Sequence, residues 1–146
     1  MAKAPSDPYA LLVAEVYQAA GEMRRTGEAI AREVGQTQAR WQLMSVVSEG
    51  QWTVPDAARE LGVTRQGVQR VADDLVAEGL AVYAPNPRHQ RSPFLELTAA
   101  GRDALARITA AARRSNQKMA KLFSAEHLLQ TRDVLRQIVA ALRNAA

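Results

Sequence analysis

The sequence predicts a mostly helical fold of the α+β class, with two short helices and a β-hairpin forming a lobe between long flanking helices. Apolar residues recur at intervals of three and four along most of the 146 residues. Two such stretches meet at a short turn around Gly62, and two strand-like stretches bracket a basic, proline-rich segment soon after. Hydrophobic residues make up 47% of the chain but aromatic residues only 5%, a balance that suits helices better than a sandwich or barrel.

From about Tyr9 to Val34, Leu12, Val13, Val16, Tyr17, Ala20, Met23 and Ile30 fall at helical spacing and predict one long amphipathic helix, loosened at Gly21 and Gly27. A second helix over about Gln38 to Ser48 packs Trp41, Met44, Val46 and Val47 beneath it and ends at Gly50. Thr53-Val54-Pro55-Asp56 is a helix start: a capping hydroxyl, a proline in the first turn, and an acid three residues after the threonine. Ala57, Ala58 and Leu61 form the apolar side of this third helix, Arg59 and Glu60 its wet side, and Gly62 turns the chain out of it. Thr64 then caps a fourth helix to Glu78, whose Val68, Val71, Ala72, Leu75 and Val76 make the core stripe. Gly79 ends it. Leu80 to Tyr83 and Phe94 to Leu97 read as strands, and helices follow over Ala99 to Met119 and Ala125 to Ala145. The last of these is capped at Ser124 and expected to bury Leu128, Leu129, Leu135, Ile138, Val139 and Leu142.

The core stripe of the fourth helix leaves Thr64, Arg65, Gln66, Gln69 and Arg70 outside at its N-terminal end, where the helix dipole and free N–H groups favour phosphate. Arginine and glutamine suit guanine and adenine edges respectively. A short helix, a glycine turn and a second helix presenting such side chains is the helix-turn-helix arrangement. The following segment, Ala84-Pro85-Asn86-Pro87-Arg88-His89-Gln90-Arg91-Ser92-Pro93, predicts a stiff, extended, positive hairpin tip suited to a phosphate ridge or minor groove, with Arg88, His89 and Arg91 as its contacts. Arg40, in the first turns of the second helix, is a further candidate phosphate contact. The basic run Arg102, Arg107, Arg113, Arg114, Lys118 and Lys121 fits a solvated helix face better than a phosphate surface.

The run from Trp52 to Gly101 resembles the MarR family of bacterial transcription regulators. The likeness is carried by Leu61-Gly62-Val63-Thr64-Arg65-Gln66, Leu75-Val76-Ala77-Glu78-Gly79-Leu80 and Leu95-Glu96-Leu97-Thr98-Ala99-Ala100-Gly101. It implies a winged helix-turn-helix between long N- and C-terminal helices that pair two subunits. Each subunit then sets its second helix in a major groove and its wing against a minor groove. Carried over, Thr64, Arg65, Gln66, Gln69 and Arg70 match the reading helix, and Arg88 and Arg91 match the wing. Many family wings have an aspartate followed by two arginines; Arg88-His89-Gln90-Arg91 has no acid. The resemblance also implies an aromatic or phenolic effector in a crevice, for which Tyr17, Met23, Trp41 and Met44 are the candidates, although a plain core accounts for the same residues.

The expected organisation is one domain over residues 1–146, with dimerisation helices at 9–34 and 99–145 and a DNA-binding lobe at 38–98. The apolar stripe of the last helix exceeds what a small lobe covers, which favours a homodimer with reading helices about 34–36 Å apart on an inverted-repeat operator in double-stranded DNA. The net charge of +4, from 19 basic and 15 acidic residues, suits a polyanionic partner without requiring one. There is no cysteine, which excludes disulfides, thiolate metal sites and the thiol-based peroxide sensing some family members use. His89 and His127 have no ligand-spaced companions, so neither metal nor cofactor is expected. No phosphate-cradling glycine loop or nucleophile–base pairing is evident, so no enzyme is expected. No run reaches the roughly 20 apolar residues of a membrane span, and a cytoplasmic protein without membrane partners is expected. The function these features favour is a DNA-binding regulator, a repressor released by a small molecule. The competing readings are an architectural DNA-coating protein and a winged helix that binds protein instead.

Overall fold

The computed structural model describes residues 7–146. The helices are α1 (Pro8–Arg32), α2 (Gln38–Val47), α3 (Val54–Leu61), α4 (Arg65–Ala77), α5 (Ala99–Leu122) and α6 (Ala125–Ala145). The strands are β1 (Trp52–Thr53), β2 (Ala81–Ala84) and β3 (Phe94–Leu97). By packing, the chain divides into two units, one ending at Ala111 and the other running from Ala112 to Ala146.

Side-chain caps start most helices where the sequence places them. The amides of Arg40, Asp56, Gly67 and His127 donate to the hydroxyls of Thr37, Thr53, Thr64 and Ser124, and Asp7 accepts from Tyr9 and Ala10 at the start of α1. Within the first unit, Glu28 of α1 reaches the N-terminus of α2, where its carboxylate accepts from the Gln38 amide at 2.9 Å. Gly27 is buried beside this contact; a Cβ there would stand 3.1 Å from Gln38 Cγ.

The core of this unit gathers one face from each element: Leu43, Met44 and Val47 of α2, Ala57 and Ala58 of α3, Val68, Ala72 and Leu75 of α4, and Ala104 and Ile108 of α5. Three antiparallel strands in the order β1-β3-β2 close it. Leu95 and Leu97 of β3 point inward and Glu96 outward, the alternation of a sheet wet on one side. Trp52 pairs with Leu95, and Tyr83 lies across from the same residue on the other edge. The two-residue β1 was not foreseen, since Trp52 and Thr53 read locally as the lead-in to a helix.

The base of the hairpin is tied by Thr98. Its hydroxyl donates to the Gly79 carbonyl at 2.6 Å and accepts from the Gly101 amide at 3.1 Å, while its own amide donates to the Leu80 carbonyl at 3.1 Å. The first turn of α5 is thereby pressed onto the chain entering β2, and Gly101 is buried there. A Cβ on Gly101 would overlap the Leu80 carbonyl oxygen and stand 3.4 Å from Leu97 Cβ.

In the second unit the single chain does not cover the stripe of α6. Leu128, Leu129, Val139 and Leu142 are exposed and only Leu135 and Ile138 are half-buried, so α6 buries none of its residues. A helix stripe is covered only where another element lies against it, and the periodicity that marks the stripe does not say which chain supplies that element.

Gly101→Ala is expected to destabilise the protein by about 1–3 kcal/mol, because the added methyl forces backbone apart rather than a mobile side chain. Thermal unfolding of the variant against the parent checks this, and an unchanged midpoint would show that α5 shifts freely on the hairpin.

Candidate nucleic-acid interface

The two helices of the central motif are joined by Gly62, whose left-handed backbone (φ 68°, ψ 35°) ends α3 and lets the Val63 amide return to the Ala58 carbonyl at 3.1 Å. Two residues later Thr64 starts α4. Val68, Ala72 and Leu75 are buried, which fixes the rotation of α4 and leaves Thr64, Arg65, Gln66, Gln69 and Arg70 exposed, as the apolar spacing predicts.

The hairpin tip departs from the stiff, extended form expected of it. It is folded over Asn86, a buried polar residue in an otherwise wet loop. The Asn86 side-chain amide donates to the Ser92 carbonyl at 2.9 Å, and its side-chain oxygen accepts from the Arg88 amide at 3.1 Å. Two successive turns, from Asn86 to His89 and from His89 to Ser92, compact the segment. Prolines suggested extension, but an asparagine that satisfies backbone groups on both sides of a loop favours a closed turn. Arg88, His89 and Arg91 all remain exposed on it.

The wing and α4 meet across a cavity of about 490 Å³ lined by Arg65, Gln66 and Gln69 on one side and Tyr83, Arg91 and Pro93 on the other. A neighbouring hollow of about 640 Å³ takes Arg59, Arg65, Asn86 and His89 into its wall. The fold thus gathers Arg65, Gln66, Gln69, His89 and Arg91, while Arg70 and Arg88 are exposed outside these walls. Arg40 is placed differently: its guanidinium is ion-paired with Glu78, just beyond the end of α4, and only 19% of its side chain is exposed. It braces α2 against that helix end instead of standing free for a phosphate. Arg102 likewise donates to the Ser48 carbonyl at 3.2 Å, and Arg107 pairs with Asp103 at 3.3 Å.

Two residues that the sequence did not single out join this surface. Gln69 Nε2 donates to Asp73 Oδ1 at 3.0 Å and to the Tyr83 hydroxyl at 2.8 Å, and that hydroxyl donates to the same Asp73 oxygen at 2.6 Å. The Gln69–Asp73 spacing of four is a helix-face pair visible in sequence; Tyr83 arrives from β2 and is not. The Tyr83 hydroxyl, then the Gln69 amide, hold the Asp73 carboxyl below its ordinary value. Partial burial, and then the hydrogen bond to Asp73, push the Tyr83 phenol up to about 12.

The four candidates for an effector crevice are not brought together. Tyr17 is 75% exposed, Met44 is 0% exposed in the core, and Trp41 packs half-buried against that core near Gly27. Met23 lines a cavity of about 490 Å³ between α1, α2 and α4 that also takes in Ala20, Arg24, Gln38, Gln42 and Val71 but not the other three candidates. Helical spacing marked all four as apolar-face residues, but the N-terminal half of α1, which carries Tyr17, is mostly exposed.

A sequence profile described as the MarR family matches residues 34–92, the stretch that contains α2, the helix pair and most of the wing. The chain belongs to the MarR family. Uncharacterised proteins of Mycobacterium tuberculosis and Mycobacterium bovis are 54% identical to this MarR-family chain over 138 residues, covering 94% of it and 96% of each of them. A MarR-family transcriptional regulator from Rhodococcus superposes with a TM-score of 0.79 at 15% identity, over 92% of this chain and 96% of that one. The M. tuberculosis regulator MOSR, solved in complex with DNA, gives 0.72 at 22% identity over 90% and 97%. A mutant MarR of Escherichia coli, solved with operator DNA, gives 0.71 at 17% identity over 91% and 99%. Family and fold are those of transcription regulators. Among the described residues no helix is long and apolar enough to cross a membrane, and no three histidine, cysteine or acidic residues cluster as metal ligands.

The Asp73–Tyr83 contact sets a pH window for this MarR-family lobe. With the phenol raised from an ordinary 10.0 to about 12, its contribution to stability is full below pH 10 and is lost as pH rises towards 12. The Asp73 contribution is full above 3.8 and is lost as pH falls through the lowered value. Following tyrosinate absorbance against pH, a phenol ionising near 12 is expected in the parent and absent in Tyr83→Phe. A parent whose three phenols all ionise near 10 would place the Tyr83 hydroxyl away from Asp73.

Proposed function

We propose that this chain is a homodimeric, sequence-specific transcription regulator, a repressor that occupies an inverted-repeat operator in cytoplasmic DNA. The observation that carries the reading is the shared cleft: Arg65, Gln66 and Gln69 of α4 face Arg91 of the wing around one hollow, so helix and wing side chains can engage one duplex together. In this reading residues 38–98 are the DNA-binding lobe, Thr64 and Arg70 flank the contacts, and Arg88 and His89 lie along the backbone. Repression by occupancy asks no catalysis of the chain.

Two copies are favoured by α6. Leu128, Leu129, Val134, Val139 and Leu142 are large apolar side chains left exposed along it, and Tyr9, Leu11 and Val16 are left exposed on α1. A second copy covering such faces accounts for them, and a two-fold pair meets half-sites about 34–36 Å apart. Release by a small apolar or aromatic effector is assigned to the cavity at Met23, where such a molecule would bias the separation of the two lobes.

Binding to duplex DNA from upstream of the chain's own gene, against a scrambled duplex and across salt concentrations, tests the whole reading. Selective binding by two subunits is expected. Equal, weak binding to both duplexes favours a DNA-coating role, and none at low salt a protein-binding one. Arg65→Ala or Gln66→Ala is expected to weaken operator binding by about 1–3 kcal/mol and random-DNA binding less. Equal losses on both would assign the contact to phosphate. Replacing Arg88 and Arg91 together is expected to flatten the dependence of binding on salt, and an unchanged slope would remove the wing from the DNA backbone.

A further inference from the structure

Gln69 is exposed on α4 and lines the cleft shared with Arg65, Gln66 and Arg91, yet its side chain is tethered. Its Nε2 stands 3.0 Å from Asp73 Oδ1 and 2.8 Å from the Tyr83 hydroxyl, and those two oxygens are 2.6 Å apart. Seen from the nitrogen the oxygens are only about 53° apart, against about 120° between the two hydrogens of an amide, so they share a single hydrogen. The second hydrogen is directed elsewhere, and neither it nor Oε1 has a partner among the described residues. An ionised carboxylate only accepts, which sets the NH2 rather than the oxygen of Gln69 on the Asp73 side.

This tether is made at the expense of an unfavourable charge. Asp73 is exposed, and hydrogen bonds from Tyr83 and Gln69 hold its carboxyl below the ordinary value, so it stands ionised on a helix proposed to lie against phosphates. Its charge repels DNA; its hydrogen bonds fix Gln69. A glutamine left free gives up the freedom of its long side chain when it meets a base, whereas one held beforehand has already done so. Held by one hydrogen, Gln69 still offers an N–H and Oε1, the kinds of group that pair with N7 and the N6 amine of adenine. We propose that Asp73 and Tyr83 are positioning residues that hold the Gln69 amide in place before DNA arrives, so that base discrimination by α4 depends on a strand of the wing. This rests on the DNA-reading role proposed for α4. Neither Asp73 nor Tyr83 need touch DNA.

The test uses the full-length chain. Preferred duplexes are first selected from a randomised pool, and Gln69→Ala then identifies the base position whose preference it loses. Preference at that position and at the others is measured for Tyr83→Phe, which keeps the ring but removes the hydroxyl, and for Asp73→Ala. Each is expected to lower preference at the Gln69 position by about three- to tenfold, the range that ordering one long side chain is worth, and to leave other positions within about twofold. Asp73→Ala is expected at the same time to bind scrambled duplex at least as tightly as the parent, because a repelling charge is gone. In the Gln69→Ala background neither substitution is expected to change base preference further. Four outcomes overturn the inference while leaving DNA reading intact. They are no preference lost in Gln69→Ala, preference at its position kept in either variant, a loss spread evenly over all positions, or the same loss with Gln69 already removed. Failure to select any duplex overturns the DNA-reading role itself, and the inference with it.

Discussion

The wing has a fixed position because one threonine closes its base. Thr98 bonds the chain where it leaves α4, through the Gly79 and Leu80 carbonyls, and the chain where it enters α5, through the Gly101 amide. These are the two ends of the hairpin, so the wing cannot swing without breaking bonds at both. Gly101 makes the approach sterically open, and Leu97, one residue before Thr98, is buried in the core alongside. The cleft between wing and α4, the reach of Tyr83 to Gln69 and the facing of Arg91 all inherit their geometry from this closure.

Elements governed by local rules were legible in the sequence. Capping hydroxyls at Thr53, Thr64 and Ser124 and a glycine after α3 set the helix ends, and three-and-four spacing set the inner face of α4. The exposed polar end of α4 followed from that face by exclusion. What depended on a partner distant in the chain was not legible. Tyr83 is a strand residue whose role comes from α4, Arg40 is neutralised by Glu78, and the wing tip curls because Asn86 satisfies groups up to Ser92. Periodicity identified Tyr17, Met23, Trp41 and Met44 as apolar positions but carries no information on which of them share a space.

Charge is distributed unevenly between the parts of the surface. Arg102 and Arg107 of α5 are engaged within the chain, to a carbonyl and to Asp103, and Arg40 is engaged by Glu78. Arg65 and Arg91, by contrast, line the same hollow, are both exposed and make no ion pair among the described residues. The net charge is only +4, so position rather than total decides where positive potential lies.

The asparagine that organises the wing tip is followed in the chain by Pro87. Asparagine side chains in mobile loops decay chiefly when the next residue's backbone nitrogen, losing its hydrogen, attacks the side-chain carbonyl and closes a five-membered imide. Proline has no such hydrogen to lose. The amide that binds Ser92 is therefore shielded from the usual route of chemical ageing by its own neighbour, so the bond that closes the wing tip is not lost that way.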